Sequence, residues 1–215
     1  MTKVKVCCIS RIKEAKTAIE FGASAIGLVS EMPSGPGVIF EKLIAEIAGS
    51  VPKDILTFLL TSKQSVKEII EQHKRCGTNT IQIVDNLLEG TYEELRNNLP
   101  GIKIVQVIHV NDESSIDEAI RVSTHVDYIL LDSGNQKLEV KELGGTGRTH
   151  DWSISKKIVE AVNVPVFLAG GITPDNIKEA VDSVKPYGID LCSGVRTNGM
   201  LDSSKLEKLF ENLTS

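Results

Sequence analysis

Three kinds of residue in this chain can do proton and anion chemistry, and each follows an apolar run. Cys7 stands in KVKVCCIS, Asp132 closes YILLD, and Asp190 lies inside GIDLCSG. A thiol and a carboxyl can act as base and acid on one substrate. The third kind is backbone. Gly144, Gly145 and Gly147 sit in GGTG, Gly170 and Gly171 follow VFLA, and Ser193 and Gly194 follow DLC. Such turns let bare N–H groups approach a ligand closely, and beside a helix N-terminus they favour anions. Together they predict a phosphate cup.

Each of these residues has a plainer reading. Cys7 can be a buried core thiol, the commoner state of a lone cysteine on an apolar strand. Alternation puts Lys5, Cys7 and Ile9 on one face, and the lysine suggests a polar interior. Asp132 can be a loop cap or, with burial raising its pKa, a general acid. Asp190 is harder to dismiss, because aspartate is disfavoured inside a strand. His109, near the end of a strand, reads equally as a site-lining residue or a loop cap. His73, His125 and His150 read as surface or packing residues. No histidine pair has metal-ligand spacing, so no metal is expected.

Positioning these groups requires an alternation of strands and helices. Strands are predicted over 3–9, 25–29, 55–60, 80–84, 102–110, 127–131, 164–169 and 188–192. Between them lie helices, the first capped by Ser10 and carrying Glu14 in its first turn, the seventh opened by Thr173 and Pro174. A last amphipathic helix follows Asp202, and Trp152 starts the one after the sixth strand. The longest connection is 133–149, and EMPSGPGV at 31–38 is a Pro/Gly-rich loop. About eight strand–helix units with no composition break predict a single α/β domain over 1–215, a (β/α)8 TIM barrel; an open doubly wound sheet is the alternative. In a barrel the chemistry belongs at strand C-termini, and phosphate commonly sits after strands 7 and 8.

Composition narrows the partners. The 215 residues carry 24 Lys and Arg against 29 Asp and Glu, a net charge of −5. That argues against a nucleic-acid surface, and no apolar run reaches the length of a membrane span. The N-terminus lacks a signal-peptide core, and Cys7, Cys8, Cys76 and Cys192 fit neither a disulfide framework nor a zinc site. A cytoplasmic protein, monomer or homodimer, binding a small phosphorylated substrate is the expectation.

These motifs together resemble those of the phosphoribosylanthranilate isomerase family. Its Lys-Ile-Cys-Gly-Ile-Thr is matched by Lys5-Val6-Cys7-Cys8-Ile9-Ser10, and its strand-6 Asp by Asp132. Its Gly-Gly-Thr-Gly-Lys-Thr-Phe-Asp-Trp is matched by residues 144–152, its Ala-Gly-Gly-Leu by Ala169–Ile172, and the closing Ser-Gly-Val-Glu by Ser193-Gly194-Val195-Arg196. The resemblance implies a cofactor-free (β/α)8 barrel performing an Amadori rearrangement. Asp132 would then be the general acid that opens the ribose ring, Cys7 the general base at C2, and Asp190 a contact to the substrate amine.

Departures cluster at the other end of that substrate. The loop whose family arginine pairs with the anthranilate carboxylate reads Met32-Pro33-Ser34-Gly35-Pro36-Gly37-Val38 here, with Gly37 at the arginine position. Val84 stands for a family His, Cys8 for a Gly, and Arg196 for a Glu. Arg196 or Arg11 is then the candidate to meet the carboxylate from another strand. Three readings follow: an isomerase of this type, a related barrel acting on another phosphosugar amine, or a non-catalytic phosphosugar binder, against which retention of Cys7 and Asp132 speaks. A pentose-phosphate epimerase would need a His/Asp metal set that the sequence lacks.

Overall fold

A computed structural model describes residues 2–134, 138, 140–145 and 147–214. Thr146 of the GGTG turn lies outside the described residues. Eight parallel strands pair in chain order: β1 (Lys3–Val6), β2 (Ala25–Val29), β3 (Leu56–Thr61), β4 (Thr80–Ile83), β5 (Lys103–His109), β6 (Tyr128–Asp132), β7 (Val166–Leu168) and β8 (Gly188–Leu191). β1 then pairs with β8, from Lys3 opposite Gly188 to Val6 opposite Leu191, so the sheet closes into a barrel and the open-sheet alternative falls. Closure leaves none of the eight strands with a free edge.

Helices α1 (Ile12–Glu20), α2 (Glu41–Ser50), α3 (Val66–Cys76), α4 (Tyr92–Asn98), α5 (Ser114–Ser123), α6 (Trp152–Ala161), α7 (Ile177–Val184) and α8 (Ser203–Thr214) alternate with the strands. A hairpin of β9 (Arg196–Thr197) and β10 (Met200–Leu201) stands between β8 and α8. Burial on both faces explains the continuously apolar strands. One face packs under the helices, as Ile26, Leu28, Ile81, Ile83, Ile129 and Leu131 do. The other fills the barrel with Phe58, Val105, Val107, Leu130 and Phe167, the two phenylalanine rings meeting edge to face at 5.8 Å.

Several ends differ from the sequence reading. β1 stops at Val6 rather than Ile9, because Cys8 takes a left-handed backbone, φ 60°, which a strand cannot continue through. α7 begins at Ile177, four residues after Thr173, because the Asn176 side chain ties the preceding turn: it accepts from Thr173 N and donates to Gly171 O. Ser10 does not cap α1; its N–H and hydroxyl donate to Glu14 instead. Asp202 does hold the start of α8, accepting from the N–H groups of Ser204 and Lys205. Among the described residues no helix is long and apolar enough to cross a membrane.

Candidate active site

The strand C-termini surround a cleft. Cys7 just past β1, Asp132 at the end of β6 and Asp190 in β8 line it, with Gly144, Gly145, Gly147, Gly170, Gly171 and Ser193. Gly194 stands directly behind Ser193 in a 3-10 turn, Ser193–Val195, where an added Cβ would collide with the Ile172 carbonyl. β1 and β6 are separated by β7 and β8 around the barrel, so Cys7 and Asp132 face the cleft from different sides.

Asp132 is buried, and its Oδ1 accepts from Ser133 N at 2.7 Å. Burial pushes its carboxyl above the usual carboxylate range, and the pull of the Ser133 N–H and of the His109 and Lys5 charges does not cancel this. A carboxyl raised in this way keeps its proton to higher pH than an exposed aspartate, which suits it to donate that proton.

Lys5 is wholly buried at the floor of the site, its Nζ 2.7 Å from Asp190 Oδ2 and 4.8 Å from the centre of the Phe58 ring. Burial works against the ammonium, but Asp190 and the neighbouring thiols outweigh it, so the lysine stays charged. Burial likewise pushes Asp190 up, with Lys5 pulling it back and Asp132 adding to the push. We take the pair as ionised, because charge-assisted hydrogen bonding at 2.7 Å favours both charges at once. Asp190 Oδ1 is left without a partner among the described residues, as is Oε1 of the buried, cleft-lining Gln82. Both unmet acceptors belong to residues that line the cleft. Removing the lysine strands a buried charge. Lys5→Met is therefore expected to lower stability by about 3 kcal/mol, read as a lower urea midpoint at unchanged slope, and Asp190→Asn placed beside it should return part of the loss.

Two expected substrate contacts do not line this cleft. His109 is buried beside Asp132, its register partner across β5 and β6, with Nε2 2.9 Å from Val84 O and its ring against Gly134. Arg196 is folded back onto the end of β1, where it meets the carbonyls of Cys7 and Cys8, Gly199 O and Glu14. Cys8 Sγ lies 2.6 Å from Cys192 Sγ, and this contact pushes the Cys8 thiol far up.

Sequence reasoning gave no role to Lys5 beyond its parity, nor to Gln82, although each is a polar residue in an apolar strand. It also missed the tie between loops. Lys141 Nζ meets the buried Asp85 at 2.5 Å and its carbonyl accepts from Ser34 Oγ at 2.6 Å, so the loops after β2, β4 and β6 are joined over the cleft.

With this geometry in hand, comparison with known proteins is decisive. The family model for N-(5'phosphoribosyl)anthranilate (PRA) isomerase matches residues 4–212. The chain belongs to this family. An N-(5'-phosphoribosyl)anthranilate isomerase 2 of Methanosarcina mazei is 36% identical over 95% of this chain and 90% of its own length. An N-(5'-phosphoribosyl)anthranilate isomerase of Nostoc punctiforme is 34% identical over 99% of each. Among solved structures, the phosphoribosyl anthranilate isomerase of Thermotoga maritima superposes with a TM-score of 0.81 at 25% identity, covering 100% of this chain and 99% of that one.

Proposed function

We propose that the chain isomerises N-(5'-phosphoribosyl)anthranilate to the corresponding 1-amino-1-deoxyketose 5-phosphate, a step of tryptophan biosynthesis. Family membership supplies the reaction class. The observation that carries the residue roles is the meeting of Cys7, Asp132, Asp190 and the glycine turns on one cleft.

Asp132 gives its proton to the ribose ring oxygen. The C1–O bond breaks as the amine lone pair forms the C1=N bond. Cys7 takes the C2 proton, and those electrons neutralise the iminium, leaving an enolamine. Tautomerisation moves the C2 hydroxyl proton out and sets a proton on C1, giving the ketose. Asp190 Oδ1, which lacks a protein partner among the described residues, accepts from the substrate amine. The turns at Gly144–Gly145, Gly147, Gly170–Gly171 and Ser193–Gly194 hold the 5'-phosphate, fixing the sugar between acid and base. Nothing in this scheme calls on a cofactor.

Gly194→Ala should push the 3-10 turn away from Ile172 and disturb the cup. The expected result is a KM about tenfold higher, the size of one hydrogen bond to a charged group, with kcat nearly kept. Weaker competitive inhibition by inorganic phosphate should accompany it.

A second reading keeps the chemistry and changes the amine. Among the described residues that line the cleft there is no Lys or Arg, and Gly37 stands where the family resemblance places an arginine. A carboxylate-free aglycone would suit such a wall. Purified protein offered phosphoribosylanthranilate and, separately, the phosphoribosyl adduct of aniline decides this. Loss of substrate fluorescence with the first supports the proposal. Turnover of the second alone would transfer the activity to another amine, and turnover of neither would remove it.

A further inference from the structure

The end of β1 aims Cys7, yet it is one of the least regular pieces of backbone in the barrel. After Val6 the chain leaves the strand, and Cys8 sits at φ 60°, a region non-glycine residues avoid. Backbone neighbours hold part of it: Cys7 N donates to Leu191 O at 2.7 Å and Ile9 N to Gly27 O at 3.0 Å. The two carbonyls between are met by a side chain from beyond β8. Arg196 Nη2 donates to Cys7 O at 3.0 Å and to Cys8 O at 2.7 Å.

The guanidinium is itself fixed. Arg196 Nη1 donates to Glu14 Oε1 at 3.1 Å and to Gly199 O at 3.0 Å. Glu14 also accepts from Leu201 N and, through Oε2, from Ser10 N and Oγ. The ion pair is nearly sealed, with the two side chains 8% and 10% exposed. A planar fork with several fixed donors suits two carbonyls one residue apart, whereas lysine offers a single point of attachment.

Three departures from the resembled family meet here. The Cys8 side chain occupies the space beside Gly37, where an added Cβ would come within 2.5 Å of Cys8 Cβ. Cys8 Sγ is further placed against Pro36 O and Cys192 Sγ. With Gly37 unable to carry a side chain, the cation at this corner comes from Arg196, and it faces the backbone rather than the cleft.

We propose that Arg196, held by Glu14, is a positioning residue that fixes the β1 end by gathering the Cys7 and Cys8 carbonyls and so aims the Cys7 thiol at the substrate. The inference rests on the isomerase reading for its link to turnover, but not for its effect on the thiol.

The test uses Arg196→Met and Arg196→Lys, each checked for a melting temperature near that of the wild type. Three quantities are measured: kcat, KM for phosphoribosylanthranilate, and the rate of Cys7 alkylation by iodoacetamide, located by fragment mass spectrometry. Arg196→Met is expected to lower kcat about 30-fold, as misplacement of a reacting group does, with KM within about threefold and Cys7 alkylated about fivefold faster as the strand end loosens. Arg196→Lys should recover part of kcat. A loss confined to KM would make Arg196 a substrate contact and overturn the proposal, as would unchanged kcat with unchanged alkylation. If the wild type does not turn over, the isomerase reading fails by itself, and the alkylation rates still decide whether Arg196 sets the thiol. Should Arg196→Met not fold, Arg196→Lys and Glu14→Gln carry the same comparison.

Discussion

Cys7→Ala is expected to lower kcat for phosphoribosylanthranilate by about 10³-fold, within the range for loss of a general base, while KM stays within a few-fold. The thiol is buried at the mouth of the barrel and lines the cleft, so its removal leaves the glycine turns and Asp190 in place. Binding should therefore survive, and the loss should fall on the step that moves the C2 proton. Alanine opens only a small space beside Gly27, in a barrel otherwise filled by Phe58, Phe167 and other large residues. A thermal midpoint close to that of the wild type would confirm that chemistry rather than folding was lost. Cys7→Ala retaining more than about a tenth of kcat would assign the base elsewhere.

Asp132→Asn is expected to be as damaging, about 10³-fold in kcat, and to carry a pH signature. Burial holds the Asp132 carboxyl above the usual carboxylate range, so the protonated, donating form persists to higher pH than for an exposed aspartate. For the wild type, kcat should fall as pH rises through that elevated value, because the acid form is consumed. Ring opening is what the variant lacks, so a substrate already in the open imine form would react nearly normally. An Asp132→Asn enzyme equally inactive on the open form would show that Asp132 does something other than protonate the ring oxygen.

Much of the site was legible because its groups lie close to strand ends in local motifs. Cys7, Asp132 and the turns at Gly144, Gly170 and Ser193 each announce themselves within a few residues of an apolar run, and eight such runs imply a closed barrel. Pairings made only by closure were not legible. Lys5 and Asp190 are 185 positions apart and meet because β1 and β8 are neighbours, their register placing the two residues opposite each other. Glu14 and Arg196 are 182 apart and meet across the same seam. Arg196 therefore read as a spare cation for the substrate, when its Nη1 and Nη2 donors are taken by backbone and Glu14. The end of β1 was misjudged for a related reason: Cys8 has strand-like composition, but its backbone is bent by contacts from Pro36, Cys192 and Arg196 that no local pattern encodes. His109 could be placed at a strand end from sequence, but not its burial against Gly134 with Nε2 on Val84 O.

The most direct test of the isomerase mechanism is to incubate the wild-type protein with phosphoribosylanthranilate in deuterium oxide and weigh the product. Proton abstraction at C2 followed by tautomerisation predicts a ketose carrying solvent deuterium at C1, formed at a rate that collapses in Cys7→Ala. Unconsumed substrate, or a product whose C1 hydrogen came directly from C2 without exchange, would contradict it.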